Sequence, residues 1–369
     1  MTGKSRHDFG HGDARYITYL NVFSQPLLND QIELGLTPID RKQTEVKSGD
    51  ALFTISSEVP EEIAISAVWQ STRENVYLNS FCFGVRPYRS CDSVYFAYAL
   101  RSPSVRVSFM LLAQGISRYN ISKLRALDVL LPWPSEDEQN NVGSFFARAD
   151  RLIALHQRKL EKLQRMKQAL LEKLFPKNGA VVPELRFNGF TDAWEQRKLE
   201  QISTRVTSIG HDLSLPRIEY EDIVARRGEL KKEIAKNISL KIGILFAPGD
   251  VLYGKLRPYL MHWLHPQFSG VAVGDFWVFR PTSTDSSFFY CLIQSEQFQQ
   301  AAAVSIGSKM PRADWKYVSE FPYLVPKQIH EQQNIGLLFE GLELYIALHQ
   351  RKLEKLQQLK SAFLTKMFV

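Results

Sequence analysis

Residues 153–164, IALHQRKLEKLQ, recur without a single change at residues 346–357, 193 positions further along the chain (346 − 153). Two unrelated segments of this length do not become identical by chance, so the chain contains a tandem duplication. Each copy ends in the same charged stretch, which is rich in Leu, Lys and Gln. A repeat this long is a whole domain rather than a solenoid unit of a few tens of residues. Whatever the chain binds, we expect it to bind twice.

The register of the duplication extends well beyond the identical segment. Downstream, residues 165–176 align with residues 358–369 at the same offset. Upstream, the offset drifts slowly, as small loop insertions would cause. The matched positions are Glu138-Gln139 with Glu331-Gln332, Gly143 with Gly336, Phe146 with Phe339, Asp92 with Asp285, Arg86-Pro87 with Arg280-Pro281, and Gly49-Asp50 with Gly249-Asp250.

One stretch of the second copy has no match in the first. The second copy opens with residues 182–199, VPELRFNGFTDAWEQRKL, and no similar stretch follows Met1. Either the native gene starts further upstream, or the first unit lacks this opening segment; the sequence leaves both alternatives open.

The bulk composition is that of a folded protein with two domains. Hydrophobic residues make up 44% and aromatic residues 12% of the 369 residues, enough for two cores. The sequence shows no charged-then-apolar leader and no apolar run near eighteen residues, which argues against secretion and membrane spanning. The cysteines Cys82, Cys91 and Cys291 are scattered and have no zinc-type spacing. We expect a cytoplasmic protein with reduced thiols and no bound metal.

The charge balance favours an anionic partner. The formal net charge is +7 and the isoelectric point is near 9.1. Many basic proteins bind no nucleic acid, so this balance is modest support alone. The duplication strengthens it, because each unit can neutralise its own set of phosphates.

The repeated segments predict two long helices that start near Glu138 and Glu331, just after Pro-rich stretches. Their apolar residues recur at steps of three and four, close to the 3.5-residue period of a coiled coil. Two packing arrangements remain open. Each helix can pack only on its own domain, or the two apolar seams can pack on each other, which their high effective concentration favours. The seam residues are Leu160, Leu163, Met166, Leu170, Leu174, Leu353, Leu356, Leu359, Phe363 and Met367.

Short β-rich runs separated by turn signals fill the rest of each unit, and short helices follow them. The predicted fold class is therefore α+β. The predicted strand regions are 51–56, 76–85, 242–246, 251–253 and 271–280, and the predicted short helices are 93–101 and 286–300.

Several catalytic motifs almost occur, but none is complete. Residues 249–255 have the spacing of a phosphate-binding P-loop, yet Leu256 stands where the Mg²⁺-binding hydroxyl belongs, and the intervening DVLY predicts a strand. Asp222 and residues 229–231 loosely resemble an acidic nuclease triad, although solvated charge explains them more simply. His156 and His349 are interpreted as exposed helix residues. No catalytic centre is predicted.

The candidate binding residues lie in a polar loop ahead of each long helix, with a basic-aromatic cluster in the second unit. Glycine allows close backbone approach, while Ser, Asn, Arg and Lys can bond phosphates or base edges, and Tyr can pack on a sugar or base. A solvated turn is an equally simple interpretation of any one loop. The loops differ in sequence at equivalent positions, which would suit two different half-sites. The candidates are Ser117, Arg118, Tyr119, Asn120, Lys255, Arg257, Ser308, Lys309 and Arg312.

Together these segments resemble the specificity (S) subunit of bacterial type I restriction–modification enzymes. The resemblance covers nearly the whole chain. It rests on the repeated ALHQRKLEKLQ, on the helices that begin with Glu-Gln, and on LRFNGFTDAWEQRKL, GDVLYGKLRPYL, VGDFWVFRP, GDARYITYLNVF and NVYLNSFCFGVRP.

The resemblance implies two α/β target-recognition domains separated by two conserved helices that form an antiparallel coiled coil. The expected boundaries are residues 1–134 and 177–326 for the domains, and 135–176 and 327–369 for the helices. Such a subunit is not an enzyme. It recognises an asymmetric bipartite DNA site and assembles with two methyltransferase (M) and two restriction (R) subunits. S-adenosylmethionine, ATP and Mg²⁺ are expected on those partners, and no cofactor on this chain.

Two other interpretations remain. The chain can be a truncated or inactive S subunit that acts only as a coiled-coil scaffold. It can also be a nuclease or methyltransferase in its own right, although two recognition domains leave little room in 369 residues for a catalytic domain.

Overall fold

The computed structural model describes Met1 and residues 3–177, 179–210, 214–231, 241–307 and 309–368. The chain divides into two compact units. Unit 1 comprises Met1–Gln157 and Arg351–Val369, and unit 2 comprises Arg158–Gln350. Each unit mixes helices and strands, which confirms the α+β class. The division cuts both long helices, so the boundaries expected at residues 134, 176 and 326 stay predictions.

Unit 1 has two main sheets, with strand orders β3-β1-β7 and β2-β6-β4-β8. The predicted strand region 76–85 is two strands. The strands are β1 (Ala14–Ile17), β2 (Leu27–Leu28), β3 (Gly35–Thr37), β4 (Ala51–Thr54), β5 (Ser56–Ser57), β6 (Ser66–Trp69), β7 (Val76–Leu78), β8 (Cys82–Val85) and β9 (Tyr119–Asn120). The helices are α1 (Tyr19–Ser24), α2 (Ser93–Leu100), α3 (Pro103–Leu111), α4 (Lys123–Ala126) and the first part of α5, the central helix (Glu136–Lys173).

Unit 2 has two four-stranded sheets, with orders β11-β20-β17-β18 and β12-β16-β19-β13. The strands are β10 (Glu195–Arg197), β11 (Ser203–Val206), β12 (Ile209–Gly210), β13 (Arg217–Ile218), β14 (Ile223–Val224), β15 (Glu229–Leu230), β16 (Gly243–Phe246), β17 (Val251–Gly254), β18 (Trp263–Leu264), β19 (Gly270–Ala272), β20 (Phe276–Pro281), β21 (Ser305–Ile306), β22 (Arg312–Ala313) and β23 (Tyr323–Val325). The helices are α6 (Leu199–Ile202), α7 (Ser286–Gln294), α8 (Glu296–Ala303), α9 (Trp315–Glu320) and α10, the C-terminal helix (Ile329–Met367).

The second unit largely follows the predicted elements. The DVLY stretch contributes to strand β17 rather than to a P-loop, as predicted. The predicted helix 286–300 is two helices, because Ser295 has an extended backbone (ψ 157°) and forms both the end of α7 and the start of α8.

The repeated Gly-Asp and Arg-Pro motifs form a structural clamp in each unit. Arg86 donates two hydrogen bonds to the Asp50 carboxylate, each of 2.7 Å. Arg280 holds Asp250 in the same way, at 2.8 and 2.7 Å. Gly249 has a φ of +84°, which suits glycine at the turn before the acid. Each carboxylate is buried and doubly paired, so these motifs stabilise the fold.

A buried glutamine joins each long helix to its domain. In unit 2, Gln332 Oε1 accepts from the backbone N–H of Asp285 at 2.9 Å, and its Nε2 donates to the Pro326 carbonyl at 2.9 Å. In unit 1, Gln139 bonds the backbone N–H of Asp92 at 3.2 Å and a proline carbonyl at 3.0 Å. The glutamine of the Glu-Gln step therefore satisfies two backbone groups, whose burial without partners would be costly.

One turn further along, a glycine lets the same helix approach its domain closely. A Cβ placed on Gly336 would lie 3.0 Å from Asp285 Oδ1 and 3.0 Å from the backbone nitrogen of Phe288. A Cβ on Gly143 would meet Asp92 and the Tyr95 nitrogen in the same way. Each aspartate also caps the N-terminus of α2 or α7. The matched glycines therefore mark where a long helix crosses a capped helix start.

The glutamate of the Glu-Gln step behaves differently in the two units. Glu331 is 1% exposed. It accepts two hydrogen bonds from Arg186, at 2.7 and 2.8 Å, and one from Trp194 Nε1 at 3.2 Å. Both partners belong to the stretch that opens the second copy. Glu138, its counterpart in unit 1, is exposed, and among the described residues its carboxylate has no hydrogen bond or ion pair.

The central and C-terminal helices pack antiparallel within each unit. In unit 1, Phe145 contacts Phe363 at 5.0 Å between ring centroids, and Asp150 pairs with Lys360. In unit 2, Lys167 Nζ lies 2.6 Å from Glu343. As residue numbers increase along the central helix, the residue numbers of their partners on the C-terminal helix decrease. This confirms the expected packing of the two helices on each other.

The predicted seam is only partly buried. Leu160, Leu174 and Leu353 are buried, and Leu163, Leu170 and Leu356 are partly buried. Exposed members of the seam are Met166, Leu359, Phe363 and Met367, at 38–44%.

Near its end, the C-terminal helix also packs on the domain core of unit 1. Leu364 and Phe368 join that core, and Phe368 contacts Tyr95 and Phe146, while Phe363 contacts Phe145 of the central helix. The interpretation of His156 as exposed was wrong, because it is 7% exposed.

The helix-crossing glycines can be tested with a control in the same helix. We expect Gly336→Ala to destabilise unit 2 by about 1–3 kcal/mol, because the added methyl overpacks a close contact. Gly341→Ala, where a Cβ would meet nothing within 4 Å, should be neutral or stabilise by about 0.5–1 kcal/mol. Thermal unfolding measures both changes. Equal midpoints for the two variants would contradict the close approach.

The glutamate pair offers a second matched comparison. We expect Glu331→Ala to cost about 3–5 kcal/mol of folding free energy, because it leaves the partly buried Arg186 guanidinium without its anion. Glu138→Ala should cost less than about 1 kcal/mol, since only the helix-terminus interaction is lost. Urea unfolding followed by tryptophan fluorescence gives both values. Similar losses in the two variants would mean that the Arg186 and Trp194 contacts add little.

Candidate nucleic-acid interface

The candidate loop of unit 1 is a short hairpin. Gln114 and Asn120 exchange backbone hydrogen bonds of 2.9 and 2.8 Å. Gly115 has a φ of +133°, and a Cβ there would collide with the Arg118 carbonyl, so the turn requires glycine. Strand β9 pairs with β5, which anchors the hairpin to the rest of the unit.

Most side chains of this hairpin face solvent. Ser117, Arg118 and Asn120 are exposed, and Ile116 at the tip is 96% exposed. Arg118 Nη2 donates to the Ser56 hydroxyl at 3.1 Å, which orients its guanidinium. Tyr119 is half-buried against the core of unit 1, so only its outer edge can reach a sugar or base. The hairpin offers polar and apolar groups with a single cation.

The candidate loop of unit 2 is also a hairpin, formed by β21 and β22. Gly307 starts its turn with a φ of +94°. Lys309, Met310 and Arg312 are exposed. Ser308 lies outside the described residues.

Asp275, in the connection between β19 and β20, pairs with two cations at this hairpin and beside it. Arg312 donates to Asp275 through Nε at 3.1 Å and Nη2 at 2.9 Å, and Lys255 Nζ lies 3.7 Å from the same carboxylate. The hydrogen bond from Arg312 lowers the pKa of Asp275, so the acid stays ionised. Within the described part of the chain, Lys309 and Arg257 form no ion pair, and their charges remain available to a ligand.

Three residues with a left-handed backbone conformation lie where neighbouring loops meet. Arg226, Arg257 and Met261 have φ values of +64°, +47° and +56°. The Arg226 N–H donates to the Met261 carbonyl at 2.8 Å, and the Arg257 N–H donates to the Pro311 carbonyl at 2.7 Å. Non-glycine residues in this region cost about 1–3 kcal/mol each and cluster at functional sites. Here they hold the β14–β15 turn, the turn Pro258–Leu260 and the β21–β22 hairpin side by side.

We call the resulting surface of unit 2 the basic edge. Arg226 and Arg227, exposed in the β14–β15 turn, are members that the sequence analysis missed. Their signal was the run Ala-Arg-Arg-Gly at residues 225–228. Arginine can bond phosphate or guanine through two donors, and exposed Tyr259 can stack on a base or sugar. The basic edge consists of Arg226, Arg227, Lys255, Arg257, Tyr259, Lys309 and Arg312.

The two hairpins occupy equivalent places but differ in chemistry. Arg312 lies 193 positions after Tyr119 (312 − 119). In each unit, the Gly-Asp turn is followed by a strand, and the hairpin pairs with the residues just after that strand. These residues are Ser56–Ser57 in unit 1 and Leu256 in unit 2. The first presents mainly neutral polar groups, and the second presents several cations and one acid. Two units on one scaffold therefore offer different surfaces.

Among the described residues, no group of three or more His, Cys, Asp or Glu could hold a metal ion. No helix in that part of the chain is long and apolar enough to cross a membrane. Cys82, Cys91 and Cys291 are free thiols. Burial raises the pKa of the Cys82 thiol to about 11, which makes it a poor nucleophile.

Comparison with solved structures identifies the fold. The S subunit of the type I restriction–modification system from M. genitalium superposes with a TM-score of 0.61 at 12% identity, covering 99% of this chain and 91% of that chain. The HsdS subunit from Thermoanaerobacter tengcongensis gives a TM-score of 0.46 at 16% identity, covering 88% and 81%. A structure described for complex assembly and conformational transition of the type I R-M system gives 0.49 at 14% identity, covering 87% and 82%.

No family model matches the chain, and the comparison with curated proteins finds no match. The similarity to the M. genitalium protein, at low identity but over nearly the whole of both chains, shows that this chain has the fold of a type I S subunit. The fold implied by the sequence resemblance is confirmed.

The role of Asp275 as an internal counter-ion can be tested by neutralising it. We expect Asp275→Asn to raise the affinity of the chain for duplex DNA several-fold at low salt, because Arg312 and Lys255 lose their acidic partner. Glu184→Gln changes the net charge equally but frees only Lys173 on the central helix, and it should have little effect. Fluorescence anisotropy across a salt series measures both. Unchanged or weaker binding by Asp275→Asn would count against the basic edge as a DNA surface.

Proposed function

We propose that this chain, which has the fold of a type I S subunit, is the DNA-specificity subunit of a type I restriction–modification complex. It recognises an asymmetric bipartite DNA site and directs methylation and cleavage by partner subunits. The observation that carries the proposal is the pair of hairpins. A duplicated scaffold presents them at equivalent places with different side chains, as a protein with two different half-sites requires.

Each unit contributes in its own way. The cations of the basic edge in unit 2 supply phosphate contacts, which dominate affinity, and arginine contacts to base edges, which give specificity. The hairpin of unit 1 recognises its half-site mainly through Ser117, Asn120 and the single guanidinium of Arg118. The antiparallel helices link the two hairpins within one chain.

The chemistry belongs to other subunits in this proposal. The chain itself catalyses no reaction and binds no cofactor. Two M subunits bring S-adenosylmethionine, and two R subunits bring ATP and Mg²⁺. The assembly works on double-stranded DNA in the bacterial cytoplasm.

A scaffold that no longer recognises DNA is the alternative within the same fold. It would keep the helix packing and partner binding but show no sequence preference. Salt-dependent DNA binding that is stronger on one bipartite sequence separates the two. Divalent-metal-dependent cleavage by the purified chain alone would instead favour an enzyme.

The hairpins should act independently on the two half-sites. We expect replacement of residues 116–120 to change one half of the methylated motif, and Lys309→Ala with Arg312→Ala to weaken or relax the other half. A lost base contact costs about 1–3 kcal/mol, and a lost phosphate contact lowers the salt slope by about 1. Methylome sequencing of cells that express the chain with its cognate M subunit reports both half-sites and their spacing.

A control separates local from general effects. Arg165→Ala removes an exposed cation from the central helix and should leave the motif unchanged. If either hairpin variant altered both half-sites, independent recognition would be refuted. If no bipartite motif were methylated with the intact chain, the scaffold alternative would stand.

A further inference from the structure

A tyrosine occupies the same place in both units, directly after a short parallel strand pair. Residues 17–22 read ITYLNV and residues 218–223 read IEYEDI, which aligns Tyr19 with Tyr220 at an offset of 201 (220 − 19). The strand that leads to the tyrosine pairs in parallel with a neighbour in each unit, β1 with β7 and β13 with β19. The duplicated scaffold therefore keeps this element, although the hairpins that it carries differ.

The residue before each tyrosine starts a short helical turn in the same way. The N–H of Thr18 donates to Asn21 Oδ1 at 2.9 Å. The N–H of Glu219 donates to Asp222 Oδ2 at 2.7 Å. Such bonds fix where a helical turn starts, and the tyrosine is the first residue of the turn in both units. Each tyrosine ring is half-buried against a hydrophobic core of its own unit, which limits the movement of its hydroxyl.

Each hairpin pairs with a short segment that follows the strand after the Gly-Asp turn, and we call it the receiving segment. In unit 1, the Ile121 N–H donates to the Ile55 carbonyl at 3.0 Å. In unit 2, the Ala313 N–H donates to the Lys255 carbonyl at 2.9 Å. The receiving segments are residues 55–57 in unit 1 and residues 255–257 in unit 2.

The tyrosine hydroxyl bonds the other edge of the receiving segment. Tyr19 donates to the Ser56 carbonyl at 3.1 Å, and Tyr220 donates to the Leu256 carbonyl. In an antiparallel ladder, successive residues alternate between bonded and non-bonded pairs, so these two carbonyls point away from the hairpin. Burial raises the pKa of Tyr19, and that of Tyr220 to about 12, so both hydroxyls keep their proton and can donate. Each receiving segment is therefore held from both edges.

The ladder between each hairpin and its receiving segment is short. Strands β5 and β9 have two residues each, and Leu256 and Arg312 form an isolated bridge. A short ladder fixes a hairpin only as firmly as the segment beneath it is held. In unit 1, Arg118 of the hairpin also bonds the Ser56 hydroxyl, and in unit 2 two cations of the basic edge flank Leu256. The tyrosine bond therefore bears on the side chains that are candidates for DNA contact.

We propose that Tyr19 and Tyr220 are positioning residues for DNA recognition, each of which holds one hairpin where its half-site requires it. This role rests on the proposed function, since it requires that the hairpins contact DNA. The hairpin side chains differ between the units, whereas the bond from tyrosine to carbonyl is the same, so the bond supplies position and the side chains supply specificity. Hydrogen bonds to base edges depend steeply on distance and angle. A loosened hairpin should therefore lose discrimination between bases before it loses affinity for phosphates.

The test replaces each tyrosine with phenylalanine, which removes only the hydroxyl. Methylome sequencing of cells that express the chain with its cognate M subunit reports both half-sites, and replacement of residues 116–120 assigns each half to its unit. We expect Tyr19→Phe to relax the half-site of unit 1 and Tyr220→Phe to relax that of unit 2, with the other half unchanged. Within the affected half, the preference for matched over singly mismatched sites should fall about tenfold, as for one impaired base contact.

Two other tyrosines form the same kind of bond and serve as matched controls. In unit 1 the Tyr95 hydroxyl donates to the Pro132 carbonyl at 2.9 Å, and in unit 2 the Tyr323 hydroxyl donates to the Val318 carbonyl at 2.9 Å. Neither carbonyl belongs to a hairpin or to a receiving segment. Tyr95→Phe and Tyr323→Phe remove the same atom and should lower the thermal midpoint at least as much, yet leave both half-sites intact.

Hydrogen exchange of the purified full chain tests the positioning without DNA. We expect Tyr19→Phe to speed exchange at the Ile121 N–H about five- to tenfold, as loss of one neutral hydrogen bond implies, and to leave the Ala313 N–H unchanged. Tyr220→Phe should do the reverse. Unchanged exchange elsewhere in each unit shows that the variant is folded.

Relaxation confined to one half-site, with faster exchange in the same unit, supports the proposal. Relaxation of both halves by one variant, or an equal effect of its matched control, overturns it. Faster exchange with an intact half-site overturns the role in recognition. If the intact chain directs no bipartite motif, the proposed function and the role in recognition both fail, whereas unchanged exchange at the hairpins overturns the positioning alone.

Discussion

One side-chain amide at the start of each long helix determines how that helix meets its domain. Gln139 and Gln332 are almost completely buried, and each donates to a proline carbonyl while accepting from the N–H of an N-capping aspartate. An amide suits this place because it offers a donor and an acceptor without a charge that burial would penalise. The helix must then start at a fixed position, and the glycine one turn later lets it cross the capped helix closely.

Much of the scaffold could be predicted because its constraints are local or repeated. The matched register identified the glutamines, glycines, capping aspartates and Gly-Asp turns before their contacts were known. Periodicity predicted both long helices, but it could not show where their buried face turns. Near the end of the C-terminal helix, Leu364 and Phe368 also pack with aromatic residues of α2, a contact that the periodicity did not predict. His156 was misinterpreted for a similar reason, because a histidine within a charged stretch does not show which face of the helix it occupies.

The candidate interface was harder to predict than the scaffold. The hairpins were found because they occupy equivalent places in a duplication, and Lys255 and Arg257 because they stand beside an aromatic residue. The acid that binds Arg312 is 37 positions away in sequence, and Arg226 reaches the same surface only through the left-handed backbone of Met261 and its neighbours. Such contacts form only in the folded chain, so the spacing of residues in the sequence does not predict them.

The ion pairs between the long helices have a consequence for the origin of the chain. Each repeat carries an acid followed 17 positions later by a lysine, Asp150 with Lys167 (167 − 150) and Glu343 with Lys360 (360 − 343). The acid of either repeat pairs with the lysine of the other. Each repeat therefore carries both an acid and a lysine that the other repeat can pair with. Two molecules that each carried one such repeat could form the same acid–lysine pairs, so fusion of two gene copies would require no new kind of contact.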